Sequence, residues 1–136
     1  MRLHLHTRAL IGAAFLAGFL LAAVGYPVAA PNDYRFELVQ VQPAGPGKTT
    51  VTVRLVHVPD NKRVTGAVLF ESKTDMGPGG MAEMTGKVSP LPADQPGIYR
   101  FQIETGMAGK WQLALGAKVQ GEADTVRGTV TFDAAK

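Results

Sequence analysis

Apolar and polar side chains alternate along most of this chain, and that alternation limits what it can fold into. Tyr34, Phe36 and Leu38 alternate with Arg35 and Glu37. The same two-residue period returns in the segments 51–57, 99–104, 111–119 and 126–132. Such a period is typical of β-strands with one buried face, whereas no window after residue 31 sustains a helical pattern. Residues 64–72 contain Val64 and the apolar run Ala67–Phe70, which predicts a strand buried on both faces or nearly so.

Residues typical of turns separate these segments. They lie at 43–47, 59–62, 94–97, 105–109 and 120–122. Glycine and proline supply the backbone angles that tight reversals need. Six clear strands and a weaker one near 82–89 therefore predict an immunoglobulin-like antiparallel β-sandwich of about seven strands, forming one domain over residues 31–136. We expect Trp111 to be its largest core side chain.

The first thirty residues have the order of a secretory signal peptide. Arg2 and Arg8 make the start basic, an uncharged stretch runs from Ala9 to Val24, and small residues follow. Cleavage is expected near residue 25 or 30, and the uncharged stretch is shorter than the roughly 20 residues of a membrane helix. We therefore expect export to the periplasm, with an uncleaved membrane anchor as the alternative.

Charge and cysteine content exclude several functions. The chain has 14 Lys and Arg against 11 Asp and Glu, and loss of Arg2 and Arg8 would leave 12 against 11. A nearly neutral domain gives no support to nucleic-acid binding. The absence of cysteine excludes disulfides, thiolate metal sites and thiol nucleophiles. No motif for nucleophilic or acid–base catalysis is present, so we expect no enzyme activity.

Three methionines lie close together in a glycine-rich stretch. Met76, Met81 and Met84 surround the sequence Gly77–Gly80, and we expect a long, flexible loop over 73–84. Thioethers prefer Cu(I), and by the same softness Ag(I), over harder cations. An exported protein without cysteine would have methionine as its soft ligand. The alternative is that these side chains fill gaps in the core.

Three further residues are candidates for the same site. Met107 lies in the turn before Trp111 and is a fourth possible thioether ligand. His57 ends a strand, where it is either a capped, partly buried side chain or a nitrogen ligand. The ring of Trp111 either packs in the core or covers a bound cation.

Three motifs together resemble the FixH-like/YtkA-like family of small exported β-sandwich domains. They are Thr74–Met84, Pro96–Phe101 and Gly106–Leu113, and the resemblance extends over residues 34–133. Members often occur beside copper and silver efflux systems, and FixH itself is linked to the maturation of cytochrome oxidases. The resemblance implies a periplasmic domain that binds or passes on Cu(I) or Ag(I), with the periplasmic adaptor or pump of an efflux system as its partner.

Two functions follow from these observations. The first is a monomeric Cu(I)/Ag(I)-binding accessory module of heavy-metal efflux or copper homeostasis, with ligands among Met76, Met81, Met84, Met107 and His57. The second is a non-metal interaction domain that docks on a membrane efflux or oxidase-assembly complex, with the methionines as an adaptable apolar contact.

Overall fold

Eight β-strands form within residues 31–135, which the computed structural model describes; the expected signal peptide lies outside them. The strands are β1 (Tyr34–Pro43), β2 (Lys48–His57), β3 (Lys62–Arg63), β4 (Ala67–Met76), β5 (Met81–Leu91), β6 (Ile98–Glu104), β7 (Gly109–Val119) and β8 (Val126–Ala134). Short 3-10 turns occur at Pro31–Asp33 and Gly77–Gly79. The all-β prediction is confirmed, with the two-residue β3 added to seven long strands. No helix in the described range is long and apolar enough to cross a membrane.

The strands are antiparallel and hydrogen-bonded in the order β1-β2-β6-β5-β4-β7-β8, with β3 beside β2. Strand β5 belongs to both layers of the sandwich. Its second half, Lys87–Leu91, pairs with β6, whereas Thr85 and Gly86 pair with β4. At this change of partner a Cβ on Gly86 would overlap the carbonyl oxygen of Glu104, so the close approach of the strands requires glycine.

The core lies between the two layers and follows the predicted alternation. Its largest fully buried members come from β2, β6, β7 and β8: Val51, Val53, Leu55, Ile103, Trp111, Leu113 and Val126. Phe36 of β1 packs against Gly128 of β8, where an added Cβ would be 2.8 Å from the Phe36 ring. This contact closes one side of the sandwich. The core position predicted for Trp111 is confirmed.

The expected long loop over residues 73–84 is wrong. Strand β4 continues to Met76 and β5 begins at Met81, so only four residues connect them. The Asp75 carboxylate accepts a hydrogen bond from the Gly77 amide at 2.7 Å, and Gly80 closes the turn with a φ of 81°. Lys73 and Asp75 lie on the outer face of β4, which gives the strand end the composition of a loop.

The prediction that 64–72 is buried on both faces is also wrong. Val68 and Phe70 lie on the outer face of β4 and are 68% and 52% exposed. Only the inner side chains, such as Leu69, pack against the core. Because β5 pairs with β4 from Thr74 onwards, the segment 67–73 pairs with β7 alone and forms an open edge.

Candidate metal-binding cleft

The structure brings the four methionines to one end of the sandwich. Met76 and Met81 lie opposite each other across the β4–β5 hairpin. The tip of that hairpin packs against the beginning of β7, where a Cβ on Gly79 would be 3.4 Å from the Lys110 carbonyl oxygen. Met107 lies in the loop that leads into β7. Residues that are distant in sequence therefore gather at this end.

Met76 and Met81 are packing residues in this arrangement. Met76 is 2% exposed, and its methyl group is 2.8 Å from where a Cβ on Gly109 would be. Gly109 has a φ of 137° and leaves the space that the Met76 side chain fills. Met81 is partly buried and packs against the same core. A cation could reach the Met76 sulfur only if the hairpin opened.

Met84 and Met107 have the opposite environment. They are 40% and 42% exposed, and both line one solvent-open cleft of about 690 Å³. Trp111 also borders this cleft but is only 1% exposed, so it is a core side chain rather than an accessible cover for a cation. The two exposed thioethers thus share a single concave site.

Hydrogen bonds hold the loop that carries Met107. The indole nitrogen of Trp111 donates to the Met107 carbonyl oxygen at 3.2 Å. The amides of Thr105 and Gly106 both donate to the Gly47 carbonyl oxygen, at 2.9 and 3.1 Å. These hydrogen bonds join the loop to the β1–β2 turn and to Trp111. They hold the backbone of Met107 in place, while its side chain is exposed.

The charged residues of the cleft are two lysines and one glutamate. Glu104 lies opposite Lys48 on β2 and opposite Lys87 on β5. The cleft therefore carries a small formal positive charge, which opposes cations in general and divalent cations most strongly. Within residues 31–135, no three His, Asp or Glu side chains are grouped so that they could hold a metal ion. The soft donors that this cleft offers are the thioethers of Met84 and Met107.

His57 lies at the other end of the sandwich and cannot join this site. It ends β2, whereas Lys48 at the cleft begins it, and ten residues of extended strand span about 30 Å. Its Nδ1 is 2.9 Å from an Asp60 carboxylate oxygen, and its ring centre is 5.2 Å from that of Tyr34. His57 is thus a partly buried side chain at a strand end, and the structure does not bring it together with the methionines.

Two ionisable groups beside His57 have shifted pKa values. The hydrogen bond with His57 holds the pKa of the Asp60 carboxyl below its usual range. Burial raises the pKa of Tyr34 to about 12. The hydrogen bond that the Tyr34 hydroxyl donates to Glu122, at 2.8 Å, adds to this increase. These contacts join Tyr34, His57, Asp60 and Glu122 at the end of the sandwich that lies away from Met84 and Met107.

The acidic residues that flank the methionines lie outside the cleft. Asp75 accepts hydrogen bonds from the Gly77 amide and from the Gln112 side chain at 2.9 Å, so it shapes the hairpin. Glu83 is exposed on β5. Neither is among the residues that line the cleft.

A second cleft, of about 400 Å³, opens where β4 and β5 separate. Phe70 and Val68 contribute to its lining from the open edge of β4, and Arg100 does so from β6. The Tyr99 hydroxyl crosses between the layers and donates to the Ala67 carbonyl oxygen at 3.1 Å. The sequence analysis missed this cleft, because it depends on β5 changing partners.

A family model and a crystal structure with a similar fold agree with this architecture. The model of the YtkA-like family matches residues 28–116. A crystal structure of a DUF4426 family protein from Pseudomonas aeruginosa PAO1 has a TM-score of 0.51 at 10% identity, covering 80% of this chain and 96% of that one. The yeast GGA1 GAE domain has a TM-score of 0.35 at 10% identity, with coverages of 76% and 93%. No curated protein matches the sequence.

Proposed function

The chain belongs to the YtkA-like family, and on that premise we propose that it binds a soft monovalent cation, Cu(I) or Ag(I). The proposed site is the cleft that Met84 and Met107 line, called the methionine cleft below. One observation carries the proposal. Met84 and Met107 are both exposed and line the same open cleft. Met76 and Met81 pack in the core and are not among the residues that line this cleft.

The chemistry of the donors supports a soft cation. Two thioether sulfurs are suitable ligands for Cu(I) and Ag(I). The chain has no cysteine, so thiolates do not compete for the metal.

A metal held by two exposed thioethers exchanges readily with another protein, because solvent and incoming ligands can reach it. The proposed role is therefore that of an accessory module in the periplasm, without catalysis, which passes Cu(I) or Ag(I) to the adaptor or pump of an efflux or copper-homeostasis system. The resemblance to FixH-like domains supports the same role beside an oxidase-assembly system.

Competition for Cu(I) against a colorimetric chelator tests the proposal. We expect the wild-type protein to withdraw Cu(I) from the chelator under anaerobic, reducing conditions. The double variant Met84→Leu/Met107→Leu keeps the apolar volume but removes both sulfurs, and we expect it to lose at least about tenfold in affinity. Met81→Leu, which changes a packing methionine, is the matched control and should bind as the wild type does. Equal, weak competition by wild type and double variant would contradict the proposal.

The second cleft supports an alternative function. Phe70 and Val68 are large apolar side chains exposed beside the open edge of β4. Apolar surface next to unpaired strand edge favours contact with another protein. Under this alternative the domain docks on a membrane efflux or oxidase-assembly complex without metal, and the failure of Cu(I) competition described above is its expected result.

A further inference from the structure

We propose that Met84 and Met107 are a paired site of reversible oxidation, and that sulfoxide formation at these two residues releases the bound metal. The class of co-reactant is a peroxide. The release of metal rests on the proposed function, whereas the selectivity of the oxidation rests on the geometry of the cleft alone.

The exposure of the methionines divides them into two classes. Met84 and Met107 are 40% and 42% exposed, whereas Met76 is 2% exposed beneath Gly109 and Met81 packs against the core. Oxidation of a thioether requires the oxidant to reach the sulfur, so the two cleft residues react first. With no cysteine in the chain, methionine carries all of its oxidisable sulfur.

The reaction balances with hydrogen peroxide as the oxidant. A lone pair of the methionine sulfur attacks one peroxide oxygen, so that an S–O bond forms and the O–O bond breaks. The sulfur loses two electrons, the peroxide is reduced, and the second oxygen leaves as water after proton transfer. Methionine sulfoxide reductases reverse this modification, with one enzyme for each sulfoxide epimer: a thiol reductant supplies two electrons, and the sulfoxide oxygen leaves as water.

Sulfoxide formation removes the property on which soft-metal binding depends. One of the two sulfur lone pairs is used in the S–O bond, the other becomes a much weaker donor on the oxidised sulfur, and the new oxygen is a hard, polar acceptor. Lys48 and Lys87 line the same cleft, and ammonium groups donate hydrogen bonds to such an oxygen. The oxidised cleft is therefore polar and no longer suited to a soft cation.

Peptide mapping during limited peroxide treatment measures the selectivity. Trypsin places Met107 in peptide 101–110, whereas the other three share peptide 74–87 and require fragmentation to be distinguished. We expect Met84 and Met107 to oxidise at least about tenfold faster than Met76 in the folded protein. In guanidinium the four rates should become equal. Comparable rates for Met76 and Met84 in the folded protein would overturn the proposal.

Silver binding before and after oxidation tests the consequence. Ag(I) is the probe because, unlike Cu(I), it does not undergo redox cycling with peroxide. Residual peroxide is removed by desalting before the titration. We expect unoxidised protein to bind Ag(I), oxidised protein to lose at least about tenfold in affinity, and sulfoxide reductases to restore it. Emission from Trp111, the single tryptophan, reports whether the oxidised protein remains folded.

The outcomes separate the two proposals. If unoxidised protein does not bind Ag(I), the proposed function fails and the release of metal fails with it. If unoxidised protein binds Ag(I) and selectively oxidised protein binds it equally well, the oxidation proposal is overturned while the metal site stands. Met81→Leu, the matched control, should change neither the oxidation order nor the Ag(I) affinity.

Discussion

At each end of the sandwich, one aromatic side chain donates a hydrogen bond that joins two parts of the chain. At one end Trp111 packs its ring in the core and donates from its indole nitrogen to the Met107 carbonyl oxygen. At the other end Tyr34 lies beside His57 and donates its hydroxyl proton to Glu122. Each residue is aromatic with a polar atom, and each satisfies that atom while burying its ring.

The stability of the fold should depend on the ionisation of Tyr34 at high pH. Its pKa rises from 10.0 to about 12 in the folded protein, so the folded state keeps a proton that the unfolded state loses between these values. The stabilisation is fully present below pH 10 and is lost as the pH rises through about 12. We expect the difference in unfolding free energy between wild type and Tyr34→Phe to shrink over this interval.

Denaturant unfolding of both proteins at several pH values measures this difference. Comparing wild type with the variant cancels the ionisation of lysines and other groups that the two proteins share. A difference that stays constant from below pH 10 to pH 12 would contradict the assigned shift.

Among the elements, β5 determines where both clefts form. Its first part lies beside β4 and carries Met84 to the methionine cleft, and its second part lies beside β6 and leaves the edge of β4 open. Gly86 is the residue at which the partner changes, in close contact with the Glu104 backbone. The geometry of this one strand therefore links the two candidate sites.

Gly86→Ala should destabilise the fold by about 1–3 kcal/mol, because an added methyl group overlaps backbone that cannot easily move. Gly66→Ala is the matched control, since its Cβ would meet the flexible Gln120 side chain, 3.1 Å away. That variant should stay within about 0.5 kcal/mol of wild type. Urea unfolding gives both values, and equal stability of the two variants would show that the crossing of β5 does not depend on this contact.

For the whole molecule, the sequence predicted the architecture better than the site. The alternation of Val51, Val53 and Leu55 is a local pattern, and local patterns determine which residues form strands and which face is buried. The end of β4 was misjudged because Lys73 and Asp75 face outward and resemble loop residues. The polar residues beside Met76 gave no indication that its side chain is buried.

The pairing of Met84 with Met107 could not be predicted from the sequence. It depends on which strands are neighbours, on the change of partner at Gly86 and on the hydrogen bond that fixes the loop to Trp111. Similarly, the distance between His57 and the methionines follows from the length and direction of β2. Residue types predicted the chemistry of a soft-metal site, whereas the assembled sandwich determines which of the candidates are accessible.

Methionine methyl NMR during Ag(I) titration tests the central claim most directly. With methyl groups labelled by ¹³C and assigned through single Met→Leu variants, each side chain reports separately on whether its sulfur binds the metal. We predict that the Met84 and Met107 signals shift together and saturate at one Ag(I) per chain, while those of Met76 and Met81 move little. Shifts led by Met76, or no saturable shift at Met84 and Met107, would contradict the account.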